Sequence, residues 1–161
     1  MQATQTAGVG FTSQERRKPR MALPLPSDDP AWHATSVPES LTVTVGIPPR
    51  VLSPNARCHW AVKAKAVKRA RVESWAQAQI AMHEANCKGG WKAASCVVHW
   101  YARDSRRRDR DNCLSSLKAT FDGLTDSGLL VDDSGITHLP LVLAVDSKNP
   151  RVELHLTQEA A

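Results

Sequence analysis

Six aspartates, Asp109, Asp111, Asp122, Asp126, Asp132 and Asp133, follow directly on the run Arg106-Arg107-Arg108. Carboxylates are hard oxygen ligands suited to Mg²⁺-type cations, and guanidinium groups suit phosphates. The juxtaposition therefore has two readings: a solvated salt-bridge surface, or a site that holds a cation and a polyanion together. In extended backbone, Asp109 and Asp111 point the same way, about 6.5–7 Å apart, and both can approach one ion. In a helix they sit about 200° apart and cannot. The metal reading thus expects a helix that begins at or after Asp111, itself a favoured cap residue. In the plain reading Asp111 only caps and Asp109 pairs with an arginine.

The segment RDNCLSSLKATFDGLTDSG reads as one helix ending at Gly128. Leu114, Leu117, Phe121 and Leu124 form its core stripe. Asp111, Ser115, Lys118 and Asp122 form a second stripe about 110° away, an acid, a hydroxyl, a base and an acid. Lys118 is either an ordinary partner of Asp122 four residues on or a cation held over a phosphate beside the acids. Leu129-Leu130-Val131 is a short apolar stretch that delivers Asp132-Asp133 to its end. Asp-Asp-Ser-Gly is also good turn chemistry.

Other motifs fail. An EF-hand loop from Asp109 needs Gly at its sixth position and Glu at its twelfth, where Leu114 and Thr120 stand. There is no G-x-x-x-x-G-K-[ST] and no G-x-S-x-G. Cys58, Cys87, Cys96 and Cys113 have no C-x-x-C spacing, so free thiols are expected in preference to a zinc site built on Cys58-His59 and Cys96-x-x-His99.

The elements that position these residues are few. Residues 1–38, with five prolines, read as a flexible Pro-rich tail preceding a domain over 39–161. LTVTVGI (41–47) alternates as a half-buried strand, and PPRVLSPNARCHW (48–60) as a loop. Residues 61–88 read as a long helix stopped by Gly89-Gly90. Its first half is basic nearly all round. Its second half, with Val72, Trp75, Ala76, Ile80 and Met82, is expected to pack. SCVVHWYAR (95–103) is a second strand. GITHLPLVLAV and RVELHLT are expected to form a hairpin about DSKNP. The expected fold is one α/β (α+β) domain with a small mixed sheet, in the order β-α-β-α-β-β. Trp60, Trp75, Trp91 and Trp100 read as core or dimer contacts.

With 161 residues, the chain is the size of about one domain. Its net charge of +5 favours an anionic partner, nucleic acid first. No run is long and apolar enough to span a membrane and no secretory leader is evident, so a cytoplasmic protein is expected.

The combination R-R-R-D-R-D-N, L-K-x-x-F-D-G-L-T-D-S-G and V-D-D-S resembles the RusA family of Holliday junction resolvases, small homodimeric endonucleases of bacteria and phages. The loop PPRVLSPNARCHW and the expected final hairpin resemble the same family, from about Leu41 to Thr157. The resemblance implies a Mg²⁺-dependent enzyme, with Mn²⁺ as a substitute, that resolves four-way DNA junctions by paired symmetric nicks. It implies that Asp109, Asp111 and Asp133 bind metal with Asp132 as neighbouring acid, that Lys118 assists at the phosphate, and that Arg106, Arg107, Arg108 and Arg110 hold DNA. Asn55 and Arg57 in the loop, and Lys65, Lys68 and Arg69 on the basic helix, are further candidate DNA contacts. In the compact motif the lysine comes four residues after the second aspartate; here it comes seven after Asp111, one turn further along the same face. A catalytically inactive binder of branched DNA shares the arginines without needing all three acids, and a metal-free structural protein would use the acids only as partners for arginine.

Overall fold

Leu41, Val43 and Val45 are buried and Thr42 and Thr44 exposed in the first strand, β1 (Ser40–Gly46), as the alternation requires. The structure is a computed structural model in which residues 39–159 are described; the expected tail over 1–38 lies outside them. β5 (Arg151–Gln158) pairs antiparallel with β1 on one side and with β2 (Ala94–Ala102) on the other. β3 (Ile136–His138) and β4 (Val142–Val145) run parallel to β2 along its far edge. This is an open mixed sheet in a small α/β domain, the expected class. One face carries Val43, Val98, Leu154 and Val152 into the core, each at most 1% exposed. Each such burial contributes roughly 1.5–3 kcal/mol.

Two expectations about the sheet are overturned. β4 and β5 do not form a hairpin, because β2 lies between them. The connection over 146–150 instead crosses the end of β2, a span of about 9.5 Å, twice the strand spacing. Asp146 N–H donates to Ala102 O at 2.8 Å, and Asp146 Oδ1 accepts from the N–H groups of Lys148 and Asn149. The strand expected over 135–145 is two strands, since Pro140 has no N–H to continue a ladder. Leu139 N–H still reaches Cys96 O at 2.9 Å.

The long helix is α1 (Trp60–Glu84), capped by His59 Nδ1, which accepts from Ala61 N–H at 3.3 Å. It ends before the two glycines. Asn86 adopts φ 51°, and the N–H groups of Asn86 and Cys87 return to His83 O and Met82 O, so an asparagine closes the last turn. α1 packs on α3 (Lys118–Asp126); of the residues expected to pack, Met82 lies against the core and Ala76 is half-buried, but the other three do not pack. Ser74 and Ala78 are fully buried, whereas Val72, Trp75 and Ile80 are 55%, 45% and 49% exposed. Gly123 explains the reversal: a Cβ there would collide with Arg71 O and lie 2.8 Å from Ser74 Cβ. The backbones are too close for large side chains, so small ones line the seam. Ser74 Oγ donates to Thr120 O at 2.7 Å, Gln79 Nε2 to Ser127 O at 2.6 Å, and Arg71 pairs with Asp126.

The helix expected over 110–128 is broken at Leu117 (φ −89°, ψ 1°) into α2 (Arg110–Ser116) and α3. Ser116 Oγ donates back to Cys113 O at 2.6 Å, an arrangement that bends helices. The break sends Leu117, Phe121 and Leu124 into the core and leaves Leu114 half-buried. Leu129 and Leu130 are buried through a single bridge to Trp91 rather than a strand. Trp91 and Trp100 are core residues; Trp60, 76% exposed, is not. All four cysteines are free thiols. Cys96 points into the core, where burial pushes its thiol up to about 12, while His99 lies on the opposite face of β2, so the two cannot share an ion. Among the described residues no helix is long and apolar enough to cross a membrane.

Candidate functional site: an acid–arginine cleft

α2 begins one residue before Asp111, and its cap is Asp109, not Asp111. Asp109 keeps an extended backbone (φ −80°, ψ 120°), and its Oδ1 accepts the N–H groups of Asp111 and Asn112 at 2.9 and 3.4 Å. Its Oδ2 accepts from Asn112 Nδ2 at 2.9 Å. Asn is the residue that sequence reasoning missed. Asn112 also accepts from Asn55 Nδ2 at 3.4 Å, which ties the 48–59 loop to Asp109. Asp111 lies in the first turn of α2, so the expected side-by-side extended pair does not form. Both acids nonetheless line one cleft of about 920 Å³, walled by residues 104–108, Arg110 and the β4 residues Leu143 to Val145.

The arginines divide by role. Arg108 folds its own loop: Nη1 donates to the carbonyls of Asp104 and Arg106 at 2.8 Å, and Nη2 to Asp104 Oδ1 at 2.7 Å. That hydrogen bond, with the Arg106 N–H, holds the Asp104 carboxyl below its ordinary range. Arginine pairing thus falls to Asp104, and Asp109 is left to the cap. Arg106 is open, 3.9 Å from Asp104. Arg107 and Arg110 are exposed on the cleft, with no ion pair among the described residues.

A second, smaller hollow of about 200 Å³ opens one helical turn on, at Ser115. Leu114, Lys118, Phe121, Asp133, Ile136 and His138 complete it. Lys118 Nζ lies 3.8 Å from both Asp122 Oδ1 and Asp133 Oδ2. The displaced lysine therefore meets Asp133, although Leu117 breaks the helix beneath it. Asp132 faces away from this role: its Oδ1 accepts the Ser134 N–H at 2.7 Å, and hydrogen bonds from the Ser134 hydroxyl and N–H hold it below the usual carboxylate range. It caps the short 3₁₀ turn Asp133–Gly135, the turn that Asp-Asp-Ser-Gly suggests. His138 packs edge-on to Phe121 at 4.7 Å, and burial holds its pKa down. Nothing in its spacing marked it as a neighbour of Asp133. Arg57, Lys65, Lys68 and Arg69 are exposed on the loop and the first half of α1, outside both hollows.

The donors fit a hard divalent cation in kind: carboxylate oxygens, with no thiol lining either hollow. Asp109 Oδ2 has accepting capacity beyond its one bond, and Asp111 and Asp133 are open. Mg²⁺ commonly takes one or two carboxylates and fills its shell with water and phosphate oxygens. Among the described residues, however, no three His, Cys, Asp or Glu side chains are close enough to share one ion. Asp109 and Asp111 share one cleft, and Asp133 stands at the next.

Fold and site define a class: a small mixed α/β domain with an acid cleft rimmed by arginine. No family model matches the chain. Over 114 residues it is 32% identical to an uncharacterized protein of Xylella fastidiosa, covering 66% of this chain and 69% of that protein. The chain belongs to the same family as that protein, whose name assigns no activity.

Proposed function

We propose that the domain is a Mg²⁺-dependent endodeoxyribonuclease of RusA type that resolves four-way DNA junctions by paired nicks, with Mn²⁺ able to replace Mg²⁺. The observation that carries the reading is the single cleft shared by Asp109, Asp111, Arg106, Arg107 and Arg110. Carboxylates beside a phosphate are mutually repulsive unless a cation is held between them. Asp109 and Asp111 would hold that cation, while Asp133 stands in the adjoining hollow beside Lys118 and Asp132 caps its turn. Bound there, the ion supplies Lewis acidity at the scissile phosphate and an activated water. The remaining steps belong to side chains. Arg106, Arg107 and Arg110 grip backbone phosphates without reading sequence. Asn112 fixes the orientation of Asp109. Lys118, held between two acids, places a positive charge where a phosphate oxygen gains negative charge.

Two nicks at one junction need two sites, so the proposal includes a two-fold homodimer. The stripe Val72, Trp75 and Ile80 on α1 is the apolar surface we assign to that contact. Trp75→Glu should then convert the protein to monomer by analytical ultracentrifugation.

The test is cleavage of a labelled mobile four-way junction against a matching linear duplex, with Mg²⁺, Mn²⁺ or EDTA. Metal-dependent paired nicks in the junction alone are expected. Binding without cutting in either metal would favour the inactive branched-DNA binder, a reading supported by the separation of Asp133 from the other two acids.

A further inference from the structure

Of the exposed large apolar side chains, Trp60 is the most open, at 76%. It stands at the first position of α1, where Ala61, Val62, Lys63 and Ala64 are exposed as well, so no packing role among the described residues accounts for it. An indole left in water forgoes a large burial gain, which a ligand can recover. The neighbours state what kind of ligand. Arg57 precedes Trp60 and Lys63 and Lys65 follow it, all exposed. An apolar protein partner would meet a dense positive charge here. A nucleic acid meets complementary charge and offers a flat ring. The surface is also tied to the acid cleft, since Asn55 in the approach to α1 bonds to Asn112, and Asn112 to Asp109.

We infer that Trp60 is a stacking platform for an unpaired DNA base, beside phosphates held by Arg57 and Lys63. A base inside duplex has both faces covered, so the platform selects strands that are open or branched. Stacking of this kind tolerates any base, because every base has a π-face. The His59 ring, 5.6 Å from Trp60 and inclined by 34°, leaves the indole tilted rather than sandwiched. This inference rests on the DNA reading above.

The experiment is metal-free fluorescence anisotropy in EDTA, with the full chain and three labelled probes: oligothymidylate, a four-way junction and a blunt duplex. Trp60→Ala should weaken oligothymidylate binding about tenfold or more, and junction binding in the same direction, with duplex binding within about twofold. Trp60→Phe should restore most of the loss. The thermal melt should be unmoved, because the side chain supports no core. Equal losses on duplex and single strand would overturn the platform, as would no loss, or a change in sedimentation that marks Trp60 as a contact between copies. If wild type binds none of the three probes, the nuclease reading itself falls. If wild type binds and Trp60→Ala changes nothing, only this inference falls.

Discussion

The two halves of α1 obey opposite rules. From Val72 onward the helix lies against α3, and its contact residues are small: Ser74 and Ala78 at the seam, Gly123 opposite. From Trp60 to Ala70 most side chains are open, and the chain places tryptophan, lysine and arginine there. At the seam, space between backbones dictates residue type. At the open end nothing among the described residues does, and the choice of residue points outward. The acid cleft belongs with the open end: Asp111, Arg107 and Arg110 satisfy no internal partner among the described residues, whereas Asp104, Asp126 and Asp146 each have an arginine.

The largest expected effect breaks activity and spares the fold. Asp109→Asn keeps the helix cap, since asparagine caps as well as aspartate, but removes the charge. Junction cleavage should fall by at least about a hundredfold, the scale on which even indirect disturbance of a metal ligand registers. Junction binding and the melting temperature should hold. A parallel loss of stability would mean that the acid serves the cap and nothing else. The next effect is the mirror image. Gly123→Val forces branched carbons into Arg71 O and Ser74 and should cost about 3 kcal/mol, read as a lower denaturation midpoint. Valine placed at an open position of α1, Ala61→Val, should cost only about 0.5 kcal/mol, from helix propensity.

Much of this division was legible in the sequence, but not its location. The alternation of β1 and β5 and the length of α1 follow from local periodicity, and all three elements are found nearly where expected. The insertion of β2 between β4 and β5 does not, because Asp-Ser-Lys-Asn-Pro serves equally well to turn back one strand or to cross two. The break at Leu117 depends on Ser116 bonding back to Cys113 O, which competes with the regular ladder only in this context. The seam was misread in part for a related reason: hydrophobicity nominated Val72, Trp75 and Ile80 alongside Ala76 and Met82, while the close approach at Gly123 admits only small residues. At the candidate site, type and spacing singled out Asp109, Asp111 and Lys118, and the structure puts the first two in one cleft and Lys118 in the next hollow. The role of Arg108 as a loop brace, the link through Asn112 and the proximity of His138 all depend on tertiary contacts that spacing does not encode.

A smaller effect tests Lys118. It is 77% exposed and reaches both Asp122 and Asp133, so Lys118→Ala should leave stability within about 0.5 kcal/mol. Cleavage should nonetheless drop about tenfold or more if its charge faces a phosphate. Lys118→Arg, which keeps the charge, should recover part of the rate. Unchanged cleavage in Lys118→Ala would reduce the residue to a surface partner of its two acids.

The smallest effect sharpens the contrast between paired and open carboxylates through pH. Asp146 is held below the usual carboxylate range by the Asn149 N–H first and by the Arg151 guanidinium next. A carboxyl depressed in the folded state adds stability at pH values above its unfolded value, about 3.9, and that stability is lost as pH falls through the folded value. Asp146→Asn should therefore melt below wild type at neutral pH, and the gap should close on acidification below about pH 4. The turn it holds crosses the end of β2 next to Ala102, which lines the cleft, so the variant also reports on the cleft's support. No gap at neutral pH, or a gap that persists unchanged below about pH 4, would remove Asp146 from the acids that serve the fold.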